Sequence, residues 1–120
     1  MKTGGFARKV IFAGALLCLG SGHASAQDTQ HGKVVFDAWC SGCHKPLGPH
    51  VPSLPGTSVL ERKYKGTKPA ALEERSDLDE ATVRSAVRHG VKFMPFFRKT
   101  EVSDTDLNDL AAYLTRNFKR

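Results

Sequence analysis

Trp39-Cys40-Ser41-Gly42-Cys43-His44 is the segment on which the fold of this chain turns. Two thiols three positions apart, followed at once by an imidazole, form the Cys-x-x-Cys-His arrangement of covalent c-type haem attachment. On one helical turn both sulfurs lie close enough to form thioethers with two neighbouring vinyl groups of a single porphyrin. His44 then projects its imidazole over the iron at the ring centre. Ser41 and Gly42 are small and leave the approach of the ring open.

Two other chemistries use similar residues. Trp-Cys-x-x-Cys is also the pattern of a thiol–disulfide oxidoreductase, with Lys33-Val-Val-Phe36 as its preceding strand. That motif belongs in a βαβ setting, and nothing after Pro46 reads as the further strands it requires. A structural zinc site needs a second pair of ligands at finger-like spacing, and His31, His50 and His89 are scattered. A disulfide between Cys40 and Cys43 would close a very small loop and stabilise little.

A six-coordinate electron carrier needs a second ligand on the far side of the iron, and a thioether there favours the reduced state. Met94 stands in a loop with Phe93, Phe96 and Phe97, followed at once by Pro95. Most methionines fill gaps in a core. Here the loop position and the aromatic neighbours, able to keep water from a haem face, favour a ligand. A bis-histidine centre using His31, His50 or His89 is the alternative.

Around these residues the pattern is helical throughout. Asp28 or Thr29 caps a first helix reaching the cysteines, with Val35, Phe36 and Trp39 at helix spacing. Lys45 to Gly56, with Pro46, Gly48, Pro49, Pro52, Pro55 and Gly56, reads as a structured loop. Thr57 is then expected to cap a short helix through Tyr64, ended by Gly66, and Pro69 opens another through Arg75. Asp79 caps Glu80–His89, and Gly90 follows it. Ser103 with Asp106 approximates a capping box, and Val102 and Leu107 a hydrophobic staple. Leu107, Leu110, Ala111, Leu114 and Phe118 make one apolar stripe. The fold class is all-α: a small domain of helices packed around one haem.

The chain has 120 residues with 18 Lys+Arg, 12 Asp+Glu and 3 Cys, enough for one domain. Its start reads as a secretory leader. Lys2, Arg8 and Lys9 precede the apolar run Val10–Gly20, and Ala24-Ser25-Ala26 supplies the small residues before a cut after Ala26. Residues 1–26 are therefore a cleaved signal peptide and 27–120 the functional domain. The leader holds three of the 18 basic residues and Cys18, so the remainder carries +3 and only Cys40 and Cys43. No dense basic stripe is left for nucleic acid, and no apolar run is long enough to span a membrane. Export by such a leader implies a periplasmic protein.

The 27–120 segment resembles the mono-haem class I cytochromes c over nearly its whole length. Gly32-Lys-Val-Val-Phe36 is similar to that family's Gly-x-x-x-aromatic contact, whose partner is a C-terminal helix, here through Leu110 and Tyr113. Pro52-Ser-Leu54 is similar to the family's Pro-x-Leu, which implies that the Pro52 carbonyl accepts the Nδ1 hydrogen of His44. Met94-Pro95 matches the methionine-ligand pattern. A narrower resemblance, to the cytochrome subunits of 4-cresol dehydrogenase and eugenol hydroxylases, rests on Pro69–Leu78 and on Val87-Arg-His-Gly90 leading into Met94–Glu101. It implies docking on an FAD-containing subunit that takes a hydride equivalent from a para-alkylphenol and passes on single electrons.

The residues thus assigned are Cys40 and Cys43 as haem thioethers, His44 and Met94 as axial ligands, and Pro52 behind His44. With both axial positions filled, oxygen-binding, peroxidase and gas-sensing roles lack the open site they need. The chain offers no nucleophile–base pair, so any catalysis belongs to a partner. Three functions follow: an electron-accepting flavoenzyme subunit, a free carrier to a terminal oxidase, or, as an outsider, a thiol–disulfide oxidoreductase. The downstream acceptor is not specified by any motif. Arg98 and Lys99 flank the methionine loop and are candidates for steering an acidic partner.

Overall fold

A computed structural model describes Met1 and residues 26–119. The expected leader therefore lies outside the described residues except at Met1 and Ala26. The described residues form α1 (Thr29–Trp39), α2 (Ser41–His44), α3 (Pro55–Tyr64), a single 3-10 turn (Leu72–Glu74), α4 (Glu80–His89) and α5 (Asp104–Thr115). No strand occurs among them beyond two isolated bridges, Gly48–Val51 and Val91–Met94.

Helix ends follow local chemistry. The Asp28 carboxylate accepts from the N–H groups of Gln30 and His31, and that of Asp79 from Thr82, so each satisfies donors that the first turn leaves open. Ser103 and Asp106 form the full capping box of α5. The start of α3 differs from the expectation. Pro55 occupies its first turn, with Leu54 as an N-cap that makes no side-chain bond. Proline suits that position because its missing N–H would be unpaired there anyway. Thr57 is thus inside the helix, and its hydroxyl is used elsewhere. Lys65 (φ 48°) and Gly66 (φ 79°) turn the chain away at the other end.

The helix expected over Pro69–Arg75 shrinks to the 3-10 turn. Ala70 and Ala71 are buried, and Arg75, only 7% exposed, is drawn inward to Asp77 and the Tyr64 hydroxyl. The local bonds to Asp77 and the longer-range bond to Tyr64 outweigh the weak tendency of so short a segment to form a helix.

The core is the crossing of α1 and α5, closed by α4. Val35 and Phe36 meet Leu107, Leu110, Ala111, Tyr113 and Leu114, with Val83 and Val87 from α4 and Val102 completing the cluster. Gly32 makes the crossing possible: a Cβ there would lie 2.1 Å from the Asp109 carbonyl oxygen and 2.8 Å from Tyr113 Cβ. Phe36 and Tyr113 stack obliquely with ring centroids 5.9 Å apart. The Gly-x-x-x-aromatic contact is therefore present, with Tyr113 as its far side. Phe118, expected on the α5 stripe, lies beyond the helix and is exposed, because α5 ends at Thr115.

Candidate haem site

α1 delivers Cys40 and stops there. The Cys40 N–H donates to Phe36 O, and the Cys40 carbonyl then accepts from Cys43 (3.0 Å) and His44 (3.0 Å), starting the single turn α2. Cys40, Cys43 and His44 thus share one turn, as the motif demands. Both cysteines are free thiols, Cys43 exposed and Cys40 partly buried against the core. Burial, with a smaller contribution from Cys43, pushes the Cys40 thiol up to about 11. A disulfide oxidoreductase needs the opposite, a thiol pushed toward thiolate. The all-helical fold likewise denies that rival its βαβ setting. Among the described residues no group of three or more His, Cys, Asp or Glu gathers as a metal site.

His44 sits where α2 meets α3. Burial holds its imidazole below the ordinary histidine pKa, toward the neutral form that ligates metals. Its Nδ1 is buried and has no hydrogen-bond partner among the described residues. The expected bond to the Pro52 carbonyl is thus not formed in this structure. α3 begins at Pro55, and its first turn lies against that side of the ring. A Cβ on Gly56 would come within 2.6 Å of Nδ1 and 2.5 Å of Cε1. Thr57, 2% exposed, donates its hydroxyl to the carbonyls of Lys45 (2.8 Å) and Cys43 (3.2 Å). Neither Gly56 nor Thr57 was legible in the sequence as part of this site: Gly56 reads there as a loop residue and Thr57 as a helix cap.

Met94 lies on the α4–α5 connection, half-buried between exposed Phe93 and Phe96. Val91 and Met94 exchange backbone hydrogen bonds (2.9 and 3.2 Å), a tight turn that needs positive φ at Lys92 (55°). Gly90 (φ 70°) precedes it, and a Cβ there would press to 2.6 Å from the Met94 carbonyl oxygen. The loop is fastened to α4. Phe97 N donates to Val87 O (2.7 Å), and the Arg88 guanidinium reaches Phe97 O (3.1 Å), Val102 O (2.9 Å) and Asp104 (2.9 Å). Phe97 also meets Trp39 edge-on at 5.9 Å, joining the methionine loop to the end of α1 beside Cys40. Of the three phenylalanines of the loop, Phe97 is the inward one, and Phe93 and Phe96 are exposed. Arg98 and Lys99 are each paired, with Glu101 and Asp104, which blunts any steering field.

These observations fit a covalent haem: two free thiols and a neutral imidazole on one turn, a buried Nδ1 awaiting an acceptor, and a methionine on a braced loop. Over residues 27–114 the chain matches the family described as cytochrome c oxidase, cbb3-type, subunit III. The protein belongs to that family of c-type cytochromes, and it is an electron carrier with covalently bound haem c. It is 32% identical over 105 residues to cytochrome c6 of Synechocystis sp., covering 88% of this chain and 78% of that protein. It is 30% identical over 122 residues to the 4-cresol dehydrogenase (hydroxylating) cytochrome c subunit of Pseudomonas putida, covering 94% and 88%. A crystal structure of p-cresol methylhydroxylase with substrate bound aligns at a TM-score of 0.47 and 34% identity, covering 70% of this chain and 88% of that one.

Proposed function

We propose that the protein is the non-catalytic, electron-accepting subunit of a periplasmic flavocytochrome whose FAD-containing partner oxidises para-alkylphenols. The observation that carries this reading is the near full-length likeness to the 4-cresol dehydrogenase cytochrome subunit, spanning 94% of this chain. In this reading residues 1–26 are an export signal, which directs the chain to the compartment where the cysteines are used. Among the described residues no helix is long and apolar enough to cross a membrane.

Cys40 and Cys43 would hold the haem as thioethers, and His44 and Met94 would ligate its iron. When bound, the haem supplies one-electron exchange between its ferric and ferrous states. The chain does the rest. The α2 turn presents both sulfurs and the imidazole together. Held to the iron through Nε2, His44 would carry a proton on Nδ1, and the Pro52 carbonyl, which does not bond it in this structure, would have to approach to accept it. The braced Met94 loop keeps a thioether in place and, with Phe97, excludes water.

Gel filtration of a periplasmic extract from the native host, recording haem and flavin absorbance together, tests the proposal. Haem eluting with flavin, well above the mass of a 94-residue chain, is expected. Haem eluting alone and small would make the protein a free carrier instead.

A further inference from the structure

We propose that Thr57 is a positioning residue that fixes the orientation of the His44 imidazole, a role that rests on His44 being the iron ligand. The two carbonyls that share the Thr57 hydroxyl belong to Cys43 and Lys45, the residues immediately before and after His44. One side chain thereby holds the backbone on both sides of the ligand. The peptide N–H of His44 is fixed independently to Cys40 O at 3.0 Å, so little rotation about its backbone remains. Gly56, the neighbour of Thr57, brings α3 onto the edge of the ring itself. Backbone and ring are therefore both set by one turn of α3.

The needs of α3 do not explain a threonine here. Its N-cap is Leu54, and Thr57 makes no capping bond within the helix. A β-branched residue is also a modest helix former. What the hydroxyl does is reach across to α2. That four-residue turn is too short to keep its shape alone, since a first turn of helix fixes several dihedrals for one hydrogen bond. Nearly complete burial at 2% exposure leaves the hydroxyl no water to turn to, so its bonding to the turn is obligatory.

The test uses the full holoprotein as wild type, Thr57→Val and Thr57→Ser. Valine keeps the shape and removes the hydroxyl; serine keeps the hydroxyl. The readouts are the spread of hyperfine-shifted haem-methyl proton resonances in the ferric state, which follows axial ring orientation, and the midpoint potential. Thr57→Val is expected to change the spread and move the potential beyond the scatter of repeat titrations, while Thr57→Ser retains both. A Thr57→Val protein that only unfolds more easily, with both readouts unmoved, would overturn the proposal. Should Thr57→Val yield no holoprotein, the ferrous wild type decides by itself. A slowly exchanging Thr57 hydroxyl proton is expected, and rapid exchange with solvent would count against the role. Failure of the underlying ligand assignment looks different: the axial imidazole resonances would then persist in His44→Ala.

Discussion

At the scale of single residues, Met94 owes its usefulness to what holds it. A methionine side chain is flexible, yet its backbone here is locked in a turn by Val91 and Gly90, and the loop is returned to α4 through Phe97 and Arg88. Replacing the side chain removes the thioether and leaves the brace. Met94→Ala is therefore expected to keep its haem but to lower the midpoint potential by on the order of 100 mV, within the ~0.8 V range that axial ligands span. Redox titration and the ligand-field spectrum check this, and an unchanged spectrum would mean that the sixth ligand is another residue. Arg88 is the quiet member of the group. Its guanidinium satisfies two loop carbonyls and pairs with Asp104, so a residue that reads as an ordinary helix C-terminal cation closes the methionine loop.

At the scale of elements, the α1–α5 crossing fixes where Cys40 emerges. The backbones approach so closely that only Gly32 fits, and the hydrogen of its Cα takes the place of any side chain. Gly32→Ala would drive a methyl into the Asp109 carbonyl, which is backbone and cannot swing aside. Overpacking of this kind costs about 2 kcal/mol or more, and the loss should appear as an early urea midpoint in the holoprotein. An unaltered midpoint would show that the helices can separate without penalty. α3 illustrates the same dependence on neighbours. The sequence pattern places Pro55 in the preceding loop, yet it opens the helix, and which residues of that turn face α2 is decided by the docking of the two helices.

At the scale of the whole molecule, the two ends of the described chain are tied by a polar cluster. Asp109, 6% exposed, accepts from the Asp28 N–H (2.8 Å) and from His31 Nδ1 (2.8 Å), and His31 Nε2 lies 3.7 Å from Asp106. The Asp109 hydrogen bond raises the His31 pKa above 6.5, burial opposes it, and the charges of Asp106, Asp109 and Asp28 add to the rise. The Asp28 N–H and then His31 lower the Asp109 pKa below 3.8. The signs of these shifts define a window. Stability from His31 is fully present below pH 6.5 and is lost as pH rises through its elevated folded value. Stability from Asp109 is present above pH 3.8 and is lost as pH falls through its depressed folded value. The thermal midpoint is accordingly expected to decline from pH 6 to pH 8.5, and His31→Gln should flatten that limb. Parallel curves for the two proteins at constant ionic strength would remove His31 from the account.

The sequence by itself determined the helical class, the haem turn and most of the helix ends. The reason is range. Cys40, Cys43 and His44 lie within five residues, and the caps at Asp28, Asp79 and Ser103 bond to groups two or three positions away, so a short window contains both partners. Tertiary structure decided the rest. Thr57 finds its acceptors 12 and 14 residues back, Arg88 closes a loop 14 residues on, and Asp109 meets Asp28 across 81 positions. The same forces helped erase a predicted helix over Pro69–Arg75 by pulling Arg75 to Tyr64, and brought Tyr113 into the core while Phe118 stayed out. A hydrogen bond within one turn follows from residue type and spacing. One between elements exists only after packing has chosen which faces meet, and that choice depends on the shape of every side chain in the core.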